Sequence, residues 1–466
     1  MKIASSKKPN TFKKIIGNKN VVISIVFTLL ILIIFHIGSI IPTPGVTVEG
    51  SLQSNDFSSM LNLLAGGGLS RMSIFSVGVG PYITAQIIIQ LLSSDLIPPL
   101  SRMAKSGERG KKKLEVITRF IALPFCVAQS YAVVMLLLKN SDGNITIFGV
   151  TDAASLKPWM IFTLITIFTG GTYLALFLGD MITKRGVGNG MTLLILSGIV
   201  SSVVSNFQIS FEVIKGKFDL SSTPEFVGMI LSIILYIGIF VILLFACIFV
   251  NDSVRKIPIQ QTGQGLISET KDLPFLPIKL NASGVIPVIF ASSLLTIPTT
   301  IEQFLAAGNP GKDFINNYLQ IETPVGLTLY FVLIILFSFF YSYVQINPQN
   351  LSENFQKSGK FIPGVKSGVD TERHITKVLM RINWLGAPFL AVVAALPYVI
   401  AMVTNIPSGL ALGGTGIIII VTGTMDLWNS IVSNSTASGY TVDRIKIENR
   451  IYEKNDDSKK DGYRIW

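Results

Sequence analysis

The chain has 466 residues, of which 49% are hydrophobic and 14% charged, and its mean hydropathy is +0.58. Soluble globular domains carry roughly 25% charged residues, so this composition excludes one and indicates a polytopic membrane protein. The net charge of +11 sits in short clusters between apolar runs with no nucleic-acid-binding motif, a pattern suited to phospholipid headgroups and an anionic partner.

Ten stretches are apolar and long enough to predict membrane spans: 20–44, 73–93, 116–138, 158–181, 191–207, 226–250, 282–302, 325–345, 382–404 and 409–431. The first is too long for a signal-peptide core and lacks a small-residue cleavage site, so it is read as a span. Between the first two lies Phe57 to Leu64, apolar but only about two helical turns long, followed by Gly66-Gly67-Gly68. A segment too short to cross the bilayer stays at membrane depth only inside protein; an interfacial helix outside the membrane is the other reading of these residues. The span 282–301 carries two prolines, three serines and three threonines. Its hydroxyls either line a protein-filled or wet interior or bond back to their own helix carbonyls. Cys126 and Cys247 both fall inside spans, with no CxxC or HExxH pattern and only His36 and His374 as histidines. No disulfide framework, metal site or cofactor is therefore expected.

With the N-terminus cytosolic, 32 of the 38 Lys and Arg residues lie on the inner side and 6 outside, which sets the orientation by the positive-inside rule. The expected class is all-α, with ten transmembrane helices in two pseudo-symmetric, inverted five-helix halves. A basic cytosolic segment (1–19) precedes the N-terminal half (20–207, with 57–68 between its first spans). The C-terminal half (226–431) and a polar cytosolic tail (432–466) follow.

Five segments carry a family resemblance: "GVGPYITAQIIIQLL" (Gly78 to Leu92), "LGDMITKRGVGNGMT" (Leu178 to Thr192), "KLNASGVIPVIFASS" (Lys279 to Ser293), "NPQNLSENFQKSGKFIPGV" (Asn347 to Val365) and "GGTGIIIIVTGTMD" (Gly413 to Asp426). In sequence and order they resemble the signature segments of the bacterial SecY family, the pore subunits of the Sec protein translocase. The resemblance implies a passive channel in the cell membrane that moves unfolded polypeptides across and releases transmembrane segments sideways. It assigns a plug to Phe57, Met60, Leu61, Asn62, Leu63 and Leu64, hinged at Gly66, Gly67 and Gly68. It places a pore ring at Val79, Ile83, Met191, Ile195, Ile289 and Ile419, where a narrow apolar neck resists wetting and blocks ions. Val79 and Met191 depart from the isoleucines common there.

A lateral gate between spans 2 and 3 and spans 7 and 8 is implied as well, with Gln86, Ile87, Gln90 and Ser292 at its seam. The 6/7 and 8/9 loops, with Arg255 and Lys256 and then Lys357, Lys360 and Lys366, are implied to dock the motor ATPase SecA or the ribosome, including its RNA phosphates. The tip Gln260 to Glu269 lacks the family's basic residues, and Lys366 stands where an arginine is expected, keeping the charge without the bidentate fork. The remaining implied partners are the small membrane subunits SecE and SecG, a nascent chain with its signal sequence, and anionic lipids. An ion-coupled secondary transporter is the alternative, although Asp180 and Asp426 fall at span ends and only His36 lies well inside one. An enzyme is not expected, because no paired carboxylates, metal-ligand cluster or nucleotide-binding loop appears.

Overall fold

The computed structural model describes residues 19–48, 68–69, 72–93, 97–139, 145–150, 157–216, 223–261, 274–305, 309–321, 323–404 and 415–435. Every predicted span contains a helix. In chain order these are α1 (Lys19–Ile40), α2 (Gly80–Leu91), α4 (Gly107–Lys139), α5 (Pro158–Arg185), α6 (Gly190–Gly216), α7 (Thr223–Asp252), α8 (Ile286–Phe304), α10 (Pro324–Ile346), α12 (Val369–Thr404) and α13 (Thr415–Ser435). Shorter helices α3 (Pro98–Lys105), α9 (Pro310–Phe314) and α11 (Pro348–Lys357) lie in the connections. Seven helices among the described residues are long and apolar enough to cross a membrane, so the expected ten is not reached by that measure; α2 and α8 are not among the seven, and α6 contributes the shorter apolar stretch Gly190–Val203.

Span 2 departs most from expectation. Read as continuous over 73–93, it is helical only from Gly80, and 72–79 form buried turns. Met72 has φ 47° and Gly78 φ 60°, left-handed values that interrupt a right-handed helix and that glycine adopts without a Cβ penalty. The turns are held close to α5: a Cβ on Gly171 would come within 2.0 Å of the Ile74 carbonyl oxygen. Span 9 errs the other way, since 369–381, read as loop, continue α12 as a polar helical extension.

Helix α7 exposes Ile230, Leu231, Ile234, Leu235, Ile242 and Phe249, so it is apolar all round and suited to lipid on nearly every face. Lipid tails are as apolar as leucine, so close packing and polar contacts hold such a bundle together. One apolar cluster runs through both halves, from Ile31 and Phe35 of α1 through α2, α6 and α8 to Tyr330 of α10 and Ile417 of α13.

Three small antiparallel ladders tie connections together. Strand β1 (Val46–Val48) pairs with β2 (Ile145–Ile147). At the other end, β3 (Val254–Pro258) pairs with β5 (Phe275–Lys279), and β4 (Gln260–Gln261) pairs with β6 (Lys360–Phe361).

Candidate functional site

Val79, Ile83, Ile195, Ile289 and Ile419 are all buried in the cluster that joins the halves, and Met191 is half-buried against it. Val79 is the N-cap of α2 and Ile83 sits one turn on, its amide donating to the Val79 carbonyl at 3.1 Å. Met191 and Ile195 occupy the first turns of α6, Ile289 the first turn of α8, and Ile419 the second turn of α13. All six thus lie within about two turns of a helix N-terminus. Met191 touches two clusters: it packs against the one that holds the other five and against a second that includes Tyr82 and Ala85 of α2, with its sulfur beside Gly179 of α5.

The halves meet where α8 packs on α2 and α4. At one end of this seam Tyr131 of α4 stacks on Phe304 of α8, ring centroids 4.8 Å apart. Toward the other end the Gln90 side chain lies beside the Tyr341 hydroxyl of α10, and its buried Oε1 has no hydrogen-bond partner among the described residues. Tyr341 also meets Phe290 of α8 edge-on at 5.8 Å. Ile87 is buried, Gln86 exposed, and the Ser292 hydroxyl donates to its own helix at the Ile289 carbonyl, 2.9 Å.

The hydroxyl-rich span realises both readings of its sequence. Thr296 and Thr300 donate to carbonyls one turn back, whereas Ser283 reaches Ser338 of α10 at 3.0 Å. Ser293, Thr296 and Thr300 are all buried in protein.

The plug assignments Phe57, Met60, Leu61, Asn62, Leu63, Leu64, Gly66 and Gly67 lie outside the described residues, and Gly68 is at their border. The described flanks are joined to each other: the Thr43 amide and hydroxyl both donate to the Met72 carbonyl, at 2.7 and 2.8 Å, and Pro42 bridges to Ser73.

At the end of the bundle with β3 to β6, the five basic docking candidates are exposed. Arg255 and Lys256 lie on β3, with the Lys256 Nζ 4.8 Å from the Phe275 ring centre. Lys360 faces Gln261 across the β4–β6 ladder, so the two loops form one surface over a shared apolar base including Ile257, Ile259, Phe355 and Ile362. Lys357 lies 3.8 Å from Glu353, and the Lys366 carbonyl accepts from the Thr371 hydroxyl.

Sequence reasoning missed the partners of the two span-end aspartates. Asp180 of α5 pairs with Arg119 of α4 at 2.5 Å, and Asp426 of α13 with Lys279 of β5 at 3.2 Å. The signal was present, since a carboxylate at the edge of an apolar span calls for a cation. It also missed Glu302, buried near the end of α8, which pairs among the described residues with Lys312 at 4.0 Å.

Helices packed around one continuous apolar core, with two loops paired at one end, fit a multi-pass membrane channel. A solved structure described as a protein conducting channel shares this fold, with a TM-score of 0.62 over 88% of this chain and 91% of that one at 16% identity. The chain belongs to the SecY family, whose model matches residues 73–428. Protein translocase subunit SecY of Mycoplasmoides gallisepticum is 50% identical over 445 residues, covering 94% of this chain and 87% of that one. The subunit of the same name from Mycoplasma pneumoniae is 47% identical over 429 residues, 91% and 88% of the two chains.

Proposed function

We infer that this chain is the central pore subunit of a Sec translocon, a passive protein-conducting channel that passes unfolded polypeptides across the membrane and lets apolar segments leave sideways into lipid. The observation that carries the reading is the half-identity to translocase subunits over nearly the whole chain, on a fold whose halves close around buried aliphatic side chains. Val79, Ile83, Met191, Ile195, Ile289 and Ile419 form the neck in this reading. Their apolar surfaces hold back water and ions at rest and fit any passing side chain without directional bonds. Residues 57–68 plug the outer funnel.

The seam of α8 and α10 against α2 and α4 is the lateral gate, and its few polar contacts suit reversible opening, because one interhelical hydrogen bond contributes only about 0.6 kcal/mol on average. A signal helix leaving through it gains roughly 25 cal/mol for each Å² of apolar surface withdrawn from water. Both termini and the 251–281 and 346–381 loops are cytosolic, supported by the 32 to 6 distribution of Lys and Arg. Those loops receive the motor ATPase SecA or the ribosome, SecE and SecG complete the assembly, and anionic lipids surround the inner face. Energy comes from the partner, and the chain itself catalyses nothing.

Reconstitution tests the reading. Proteoliposomes holding the purified complex, given SecA, ATP and a signal-bearing preprotein, should accumulate protease-protected preprotein. Accumulation no greater than in protein-free liposomes overturns it. For orientation, an impermeant thiol reagent should leave a cysteine placed in 346–381 unlabelled in intact cells.

A further inference from the structure

The exposed face of α12 changes character along its length. Trp384 and Leu385 are 73% and 70% exposed, followed on the same helix by exposed Val392 and Val399. Toward the N-terminus the exposed positions become Arg381, Lys377 and Arg373. Spaced four residues apart, these three form one row on the helix surface, and Trp384 lies in line with it. No ion pair among the described residues includes any of the three. The carboxylates of Asp370 and Glu372 sit in the first turn, on the far side of Arg373 from Trp384, where they complement the helix dipole.

Trp384 meets Phe339 of α10 edge-on at 5.9 Å, about two turns before α10 ends at Ile346. That contact fixes the level of the row against α10. Counted along the helices from it, Arg381 lies about 5 Å and Lys377 about 10 Å further toward the end of α10. The headgroup layer occupies the next several ångströms beyond the hydrocarbon, so an aromatic ring followed at once by a row of unpaired cations matches its polarity step by step.

We propose that Arg373, Lys377, Arg381 and Trp384 form a docking row for the phosphate headgroups of anionic phospholipids. The cations bind the phosphates and the indole anchors at the acyl boundary. The outer end of the row, Arg373, lies two residues from Thr371, whose hydroxyl holds the backbone of the docking residue Lys366. The proposal deepens the lipid part of the function inferred above and rests on α12 emerging at the inner face.

The test is tryptophan quenching by lipid. The full-length chain keeps Trp384 alone, with Trp159, Trp428 and Trp466 replaced by Phe, in nanodiscs containing brominated phosphatidylglycerol or brominated phosphatidylcholine at equal mole fraction. Anionic lipid should bind beside Trp384 at least about three-fold more strongly, less so as salt is raised. The combined Arg373→Gln, Lys377→Gln and Arg381→Gln variant should bring the ratio to about one. Lys377→Gln alone, the mildest change, should give an intermediate value even where the triple variant fails to fold. Equal quenching by both lipids in the parent overturns the proposal, as does a preference that survives these substitutions. A triple variant that loses ribosome co-sedimentation while keeping its lipid preference also overturns it, because the row then reads an acidic macromolecule. The readout needs no translocation, so failure here leaves the pore reading standing, and failed translocation by the wild-type complex leaves this result intact.

Discussion

Arg119 of α4 and Asp180 of α5 close an ion pair at 2.5 Å between two helices of the N-terminal half. Glu115, one turn before Arg119, reaches the same guanidinium, and the Tyr173 hydroxyl of α5 donates to the Arg119 carbonyl at 2.7 Å. The Asp180 side chain is 17% exposed and that of Arg119 36%, so the pair is screened in part and is worth less than a fully buried one. Asp180→Asn should lower stability by about 1–2 kcal/mol, with Glu115 retaining part of the charge balance. A double-mutant cycle with Arg119→Gln, followed by thermal unfolding in mild detergent, measures the coupling. Strictly additive single effects count against a functional pair.

Across the seam, Tyr341→Phe removes the hydroxyl that meets Gln90 and leaves the ring against Phe290. Losing about 0.6–1.7 kcal/mol from the closed gate should raise the open fraction about three- to eighteen-fold. Export of a reporter with a weakened signal sequence should increase. Unchanged export means that the contact does not hold the gate.

Ile419→Asn places an amide among buried aliphatic side chains. Leaving that amide unpaired costs on the order of 1–3 kcal/mol, relieved when the neck wets or opens. Resting conductance of the purified complex in a planar bilayer should rise, whereas Ile419→Leu should stay tight. Silence from the asparagine variant removes Ile419 from the seal.

Lys366 is exposed and its backbone is tied to Thr371, so reversing its charge should leave the loop folded. Lys366→Glu should weaken partner binding and slow translocation with normal membrane insertion, and Lys366→Arg should be tolerated. Translocation at the wild-type rate by the glutamate variant means that the loop docks through other groups.

Hydropathy made the helical class legible and placed a helix in each predicted span, most plainly in α7, where nothing but apolar length is needed. It failed where burial and helicity part company. Residues 72–79 are as apolar as a span yet fold as turns around Met72 and Gly78, and a short apolar run reads the same in either form. The opposite failure is 369–381, too polar for a span but helical because Ile375 and Leu379 pack into the cluster beneath the loops. Of the candidate site, the resemblance named the neck positions and folding gathers them into one core. Tyr341 and Phe304 were out of reach, because their roles come from neighbours on other helices rather than from local pattern.

The Gln260–Phe361 and Gln261–Lys360 pairing has a mechanical consequence. Strand β5 leads into α8, and β6 lies between α10 and α12, so the ladder clamps the hairpin ahead of one helix to the turn that joins two others. Backbone hydrogen bonds join the two strands, and Ile259 and Ile362 pack in one apolar base beneath the joint. The two connections are therefore coupled, and a displacement of either one is passed to three helices at once, as through a yoke instead of two independent tethers.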